Sequence, residues 1–469
     1  MTAEHTDPAA RFPSDFAWGA ATSSYQIEGS PGEGGRGRSI WDAFTAEPGR
    51  VVDASTGEAA ARSYRRPEAD LDLVDRLGLT AYRFSISWPR VCPEGSGRVN
   101  PEGLAYYDRL VDGLLERGVD PWVTLYHWDL PQALEESGGW PERDTAKRFA
   151  EYAAVAADAL GDRVTRWMTV NEPWCAAFLG YASGEHAPGR REPAAALAAG
   201  HHLMLAHGLA ARAIKDAAPA AKTGLGPNFY PVRPATESPE DRDAARRIDG
   251  LQNRLFADAA IKGSYPDDVV ADLVSVTDFS FVADGDMRTV QAPLDFLGVN
   301  YYSSFTVSGR AGAPSASAAP TDTASAWPGS EHVGFVRTGR PTTAMDWEID
   351  PEGLTGILTL LRDRYPGTDL VVTENGAAFD DVPGADGRVA DRERRRYIAD
   401  HVDACAAAIA EGVRLRGYFV WSLMDNFEWA WGYTKRFGIA YTDFASGART
   451  LKASGEWYAA LVRSARGDE

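Results

Sequence analysis

The feature that most constrains what this chain can fold into is a repeated alternation. Eight short apolar runs, at residues 16–21, 81–87, 121–127, 166–171, 223–228, 294–301, 370–374 and 417–422, are separated by longer amphipathic stretches. Runs this short and this predominantly apolar suit strands buried on both faces of a parallel sheet, and parallel strands need crossover helices to join them. Residues 101–117 carry such a helix pattern. Leu104, Tyr107, Val111 and Leu114 recur at three-four spacing, with Pro101 in the first turn and Gly118 beyond the last. Further helices are predicted over 142–160, 194–217, 241–261, 351–365 and 391–411. Eight strand-helix units predict an α/β fold, a single (β/α)8 TIM barrel spanning residues 1–469, with its active site at the carboxyl ends of the strands. The length exceeds that of most single domains, but barrels of this kind absorb it.

Reading each run to its carboxyl end tests that expectation internally. The ends carry Gln26-Ile27-Glu28, Arg83 to Trp88, Tyr126-His127-Trp128, Asn171-Glu172, Asn228, Asn300-Tyr301-Tyr302, Glu374-Asn375 and Trp421 in turn. Polar and aromatic groups collect at one end every time, where chance would scatter them over both. Residues 307–345 break the rhythm, being rich in Ser, Ala, Pro and Gly. They are predicted as a mobile loop following the sixth strand and therefore lying over the active-site mouth, with a disordered insertion as the alternative.

Two of the runs stop at a glutamate: Thr169-Val170-Asn171-Glu172-Pro173 and Val372-Thr373-Glu374-Asn375-Gly376. A lone Glu at a strand end is ordinarily a structural ion-pair partner. Two of them, each beside an Asn and with Arg83 available to keep one ionised, point to the paired carboxyls that break glycosidic bonds. Their separation decides between a retaining and an inverting course, and spacing in sequence leaves both open. An ionised Glu374 would oppose ionisation of a neighbouring Glu172 and leave it protonated near neutral pH, as a general acid requires.

Composition removes other function classes. A net charge of −19 argues against nucleic acid or an anionic membrane as partner. No apolar stretch reaches the roughly 18 residues of a membrane helix, and the N-terminus carries neither a basic start nor an apolar core. Cys92, Cys175 and Cys405 form neither a disulfide framework nor a CxxC pattern. These features together lead to the expectation of a cytoplasmic enzyme. The eight His residues, including His201-His202, lack the spacing of a zinc site, so no metal is expected. Without a P-loop or dinucleotide fingerprint, no cofactor is expected either.

Further motifs give the carboxylates a context. Phe16-Ala-Trp-Gly-Ala-Ala-Thr-Ser-Ser-Tyr-Gln-Ile-Glu-Gly29, Tyr82-Arg-Phe-Ser-Ile-Ser-Trp-Pro-Arg90, Leu125-Tyr-His-Trp-Asp-Leu-Pro131, Trp421-Ser-Leu-Met-Asp-Asn-Phe-Glu-Trp429 and Lys435-Arg-Phe-Gly-Ile439 stand in this order along the chain. With Asn171-Glu172-Pro173 and Thr373-Glu374-Asn375-Gly376 they resemble glycoside hydrolase family 1, the β-glucosidase family, from about residue 12 to 460. The resemblance implies the (β/α)8 fold and a retaining mechanism. Glu172 resembles the acid/base and Glu374 the nucleophile. Gln26, His127, Asn171, Glu428 and Trp429 fall where the family binds sugar hydroxyls, Trp421 resembles the platform under the ring, and Tyr302, with Arg83 nearby, resembles the hydroxyl donor to the nucleophile. Trp128 and Asn228 line or support the site, Trp347 walls the leaving-group side, and Asp425 and Asn426 are read as structural. Members acting on 6-phosphorylated sugars lack the Glu-Trp pair, whereas Glu428-Trp429 is intact here, and thioglucoside-cleaving relatives in plants lack the acid that Glu172 supplies.

The expectation is a retaining exo-β-glucosidase acting on cellobiose, short oligosaccharides or aryl β-glucosides. A β-galactosidase, a β-fucosidase or a transglycosylase on the same site stays open, as does, more remotely, a catalytically silent sugar-binding barrel.

Overall fold

The computed structural model describes residues 11–310 and 323–467. Eight strands close into a parallel barrel: β1 (Ala17–Ala21), β2 (Ala81–Ser85), β3 (Asp120–Tyr126), β4 (Arg166–Asn171), β5 (Lys222–Gly226), β6 (Phe296–Asn300), β7 (Leu370–Asn375) and β8 (Leu415–Trp421). Each pairs with its sequence neighbours, and β1 closes the ring by pairing with both β2 and β8. All eight predicted strands are present, with ends displaced by a residue or two. β5 stops at Gly226, and Asn228 beyond it is held by an isolated bridge to Asn300.

Strands buried on both faces need side chains that fill the barrel as well as its outside. The rings of Trp122, Phe296 and Phe419 do so, with centroids 5.0–5.3 Å apart. Glycine is required opposite them: a Cβ on Gly19 would strike the Phe419 ring, and one on Gly224 the Phe296 ring.

The helix Pro101–Glu116 buries Tyr107, Val111 and Leu114 as its spacing predicts. The expected helix over 241–261 is instead three pieces, Pro239–Asp249, a π-helical turn Gly250–Arg254, and Leu255–Lys262. The apolar spacing continues through the π turn, so its pattern alone does not reveal the widened hydrogen bonding. Two helices not singled out from the sequence, Pro67–Leu77 and Ala453–Arg466, complete the outer layer.

The segment 307–345 carries strand near its ends. Phe305–Ser308 lies between Val232–Pro234 and Gly334–Phe335 in a three-stranded sheet. Val307 and Val333 are buried there against Ala244, Ala245 and Ile248, which anchors the segment. Its centre, 311–322, lies outside the described residues. Among the described residues no helix is long and apolar enough to cross a membrane.

Candidate active site

A cavity of about 620 Å³ opens at the carboxyl ends of the strands. Glu172, Glu374, His127, Trp128, Asn228, Tyr302, Trp347, Trp421, Glu428 and Trp429 all face it. Gln26, Asn171 and Arg83 do not; they are buried behind its wall.

Glu374 sits near the end of β7, beside Asn300 of β6 in register. Arg83 Nη1 donates to its Oε1 at 2.6 Å, and the Tyr302 hydroxyl donates to its Oε2 at 2.6 Å. Both carboxylate oxygens are thus fixed by strong, charge-assisted bonds. Glu172 follows β4, with its φ of +45° in the left-handed region and its N–H bonded to Gly226 O at 2.8 Å. A non-glycine residue in that region stores strain, which is characteristic of functional positions. Asn300 Nδ2 donates to its Oε1 at 2.8 Å, and Cys175 Sγ, one turn on, donates to its Oε2 at 3.1 Å.

The environments of the two acids differ. Burial, followed by the charge of Glu374, pushes Glu172 up to about 8. The sequence reading named the charge alone, whereas burial is the larger cause. Burial also raises Glu374, opposed by Arg83, Tyr302 and Asn300. A proton shared by the pair therefore resides on Glu172, whose neighbours offer no cation at bonding distance, while Glu374 holds the salt bridge to Arg83.

Asn300 and Asn171 fasten this pair. Asn300 Nδ2 also reaches Asn171 Oδ1 at 3.1 Å, and Thr373 Oγ1 donates to Asn300 Oδ1 at 2.7 Å. Arg83 Nη2 donates to Asn171 Oδ1 at 2.6 Å, which orients Asn171 Nδ2 toward His127 Nε2 at 3.1 Å. With Nε2 accepting, the neutral His127 ring carries its proton on Nδ1. Burial and the nearby Arg83 charge hold His127 well below its ordinary pKa, so the ring is neutral.

Away from the pair, Gln26 Nε2 donates to Phe427 O at 2.9 Å, Asn426 Oδ1 at 3.0 Å and Glu428 Oε2 at 3.4 Å. Gln26 thus bonds the very loop that carries Glu428. Burial, then the charges of Glu374 and Glu172, push Glu428 up to about 8. The loop is tied from behind: Asp425 accepts from Lys452 Nζ and Arg436 Nη1, each at 2.6 Å, and Lys452 also bonds Asp381 at 2.5 Å. The His127 ring lies near-parallel to those of Trp421 and Trp429, at 5.5 and 6.0 Å. Trp128 Nε1 supports β4 through Asn171 O at 3.0 Å, and the Trp347 ring stands 5.4 Å from that of Tyr302.

Sequence reasoning missed Asn300 and Cys175 as partners of Glu172. Asn300 had a signal, its place at a strand end before Tyr301-Tyr302; Cys175 had its three-residue spacing from Glu172, which a helical turn with the Ala176 N–H bonded to Glu172 O brings together. Among the described residues no group of three His, Cys, Asp or Glu could hold a metal ion.

The family model for glycosyl hydrolase family 1 matches residues 8–466. The chain belongs to glycosyl hydrolase family 1. Relatives within it include β-glucosidase A of Thermotoga maritima, 45% identical over 97% of this chain and 98% of that protein. A bifunctional β-D-glucosidase/β-D-fucosidase of Bifidobacterium breve is 46% identical over 96% of this chain and 98% of its own length. The crystal structure of the psychrophilic β-glucosidase BglU from Micrococcus antarcticus superposes with a TM-score of 0.95 at 48% identity, covering 98% of this chain and 99% of that one. The barrel is that of family 1, as in the family 1 β-glucosidase from Thermotoga maritima, which superposes with a TM-score of 0.91.

Proposed function

We propose that this family 1 enzyme is a retaining exo-β-glucosidase, hydrolysing terminal β-D-glucosyl residues of cellobiose, short oligosaccharides or aryl glucosides. The observation that carries this reading is the unequal pair of carboxyls: Glu374 clamped by Arg83 and Tyr302, Glu172 pushed up to about 8. Glu374 attacks the anomeric carbon while Glu172 protonates the departing oxygen, so one C–O bond forms as the other breaks. In the resulting ester Glu374 carries no charge, so the second cause of the raised Glu172 pKa is gone. Glu172, now a base, takes a proton from water, which attacks the same carbon and releases Glu374.

Gln26, His127, Asn171, Glu428 and Trp429 bind the sugar hydroxyls, and Trp421 stacks under the ring. Gln26 Nε2 also bonds Glu428 and Asn171 Nδ2 also bonds His127, so each orients a neighbouring sugar ligand as well. Trp128 and Asn228 support the site, and Trp347 walls the leaving-group side. The described residues 323–345 of that segment, part of one catalytic domain, line the mouth. Three buried free cysteines support a reducing, cytoplasmic setting, and cellulose-derived oligosaccharides are a fitting source of substrate.

Activity on β-fucosides is a second reading, favoured by the bifunctional relative. Both acids are present and asymmetric, which disfavours a silent binding barrel. The deciding experiment follows the first anomer released from an aryl β-glucoside by proton NMR. β-Glucose appearing first supports the double displacement; α-glucose first would refute it. Rates on the β-fucoside and β-galactoside, and transfer to an added acceptor, rank the alternatives.

A further inference from the structure

Of the two carboxyl oxygens of Glu172, one is held by an amide, that of Asn300 on Oε1 at 2.8 Å. The other is held by a thiol. Cys175 Sγ donates to Oε2 at 3.1 Å, and both residues are buried where they line the cavity. The local chain dictates this meeting. Glu172 O accepts the Ala176 N–H at 3.1 Å, so a helical turn begins at the acid itself, with Pro173 in its first position. A side chain three residues on in such a turn comes back beside the residue that opens it.

The thiol hydrogen is aimed from behind. Asn228 Nδ2 donates to Sγ at 3.4 Å, and Gln252 Nε2 holds the Asn228 carbonyl oxygen at 2.8 Å. With its sulfur accepting from Asn228, the thiol turns its one hydrogen to Glu172, and each bond polarises the next. Burial, then the charge of Glu172, hold the thiol well above its ordinary pKa, so it keeps that hydrogen near neutral pH. A thiol is a weak donor. That suits a group that is an acid in one step and a base in the next. A strong donor would hold Glu172 as the carboxylate and remove the proton that the first step needs.

We propose that Cys175 is a positioning residue for the acid/base, its thiol holding the Glu172 carboxyl in the plane from which it protonates the leaving oxygen and later activates water. This rests on the double-displacement reading of the cavity. The thiol keeps its own proton throughout. The proton given to the leaving oxygen comes from Glu172, and the one taken from water returns to Glu172.

The test compares the wild type, Cys175→Ala and Cys175→Ser on two substrates. Phenyl β-glucoside has a leaving oxygen that needs a proton; 2,4-dinitrophenyl β-glucoside releases its phenolate without one. Cys175→Ala should lose about 3- to 10-fold in kcat/KM on the phenyl glucoside and no more than about twofold on the dinitrophenyl glucoside. On the latter, kcat and KM should fall together, because the base-assisted second step slows and the ester accumulates. The bond favours the carboxylate, so its loss should also move the alkaline limb for the phenyl glucoside up by about half to one pH unit. Cys175→Ser keeps a donor and should bring the limb back toward its wild-type position. Glu374, Arg83, Glu428, Glu185, Tyr230 and Tyr302, the other ionisable groups bearing on Glu172 or Cys175, are the same in every variant, so the shift reads the thiol bond. Should Cys175→Ala not fold, Cys175→Val, which fills the space without a donor, takes its place with the same expectations. Equal losses on both substrates, an unmoved limb, or wild-type rates on the phenyl glucoside would overturn the proposal. A wild type that cleaves neither substrate would refute the glycosidase reading instead.

Discussion

Replacing Tyr302 by Phe removes one oxygen and leaves the ring contacts with Trp347 and Phe437 in place. The lost group is the donor of a 2.6 Å bond to Glu374 Oε2, buried and charge-assisted. A hydrogen bond to an ionised group is worth about 1.5–3 kcal/mol, and each pKa unit corresponds to about 1.4 kcal/mol. The bond favours the ionised form, so without it the Glu374 pKa rises by about one to two units. Glu374 must be ionised to attack. The acid limb of the kcat/KM profile for p-nitrophenyl β-glucoside should therefore move to higher pH by that amount, with the alkaline limb less affected. Because the two carboxyls titrate as a pair, both limbs are fitted together across about pH 4 to 9. Circular dichroism checks that the variant is folded. An acid limb that stays in place, with the rate reduced evenly at every pH, would refute the assignment of Tyr302 as the donor that keeps Glu374 ionised.

Glu172→Ala should remove the alkaline limb near pH 8 and slow hydrolysis of aryl glucosides by about 10²- to 10⁴-fold. Added azide should restore turnover and yield β-glucosyl azide, and recovery of the α-azide would contradict the double displacement. Asn300→Ala removes a donor that lowers the Glu172 pKa, so its alkaline limb should shift upward by about one unit, read from the same profile. An unmoved limb would show that the 2.8 Å bond is idle. Lys452→Met strips a buried cation from Asp425 and Asp381 and should cost about 3–5 kcal/mol, seen as a lowered urea midpoint. Wild-type stability in that variant would mean that Arg436 on Asp425 and Arg394, which pairs with Asp381 at 2.7 Å, suffice.

The barrel was legible because its strands are buried on both faces: 370–374 and 417–422 read as near-continuous apolar runs, and their polar ends marked the mouth. Glu172 and Glu374 were legible for the same reason, each being the first charged residue where an apolar strand stops. The 241–261 segment is helical as expected, but its π-helical stretch was not legible, since residues 250–254 change their hydrogen-bond period without changing their apolar spacing. The assignment of partners was beyond the sequence. Asn300 sits on a different strand from either acid, and only closure of the barrel brings its amide to Glu172 and Asn171. The bonds from the Gln26 amide to Asn426, Phe427 and Glu428 were likewise beyond the sequence, since they depend on a contact across 400 residues.

The most direct test of the central claim is mass spectrometry after incubation with a 2-deoxy-2-fluoro-β-glucoside bearing a good leaving group. Fluorine slows both displacements by destabilising the cation-like transition state, and the leaving group keeps the first fast enough for the ester to accumulate. A single fluoroglucosyl adduct on the peptide containing Glu374 is the expected result. An adduct on another residue, or none from an enzyme that turns over the parent glucoside, would contradict Glu374 as the nucleophile.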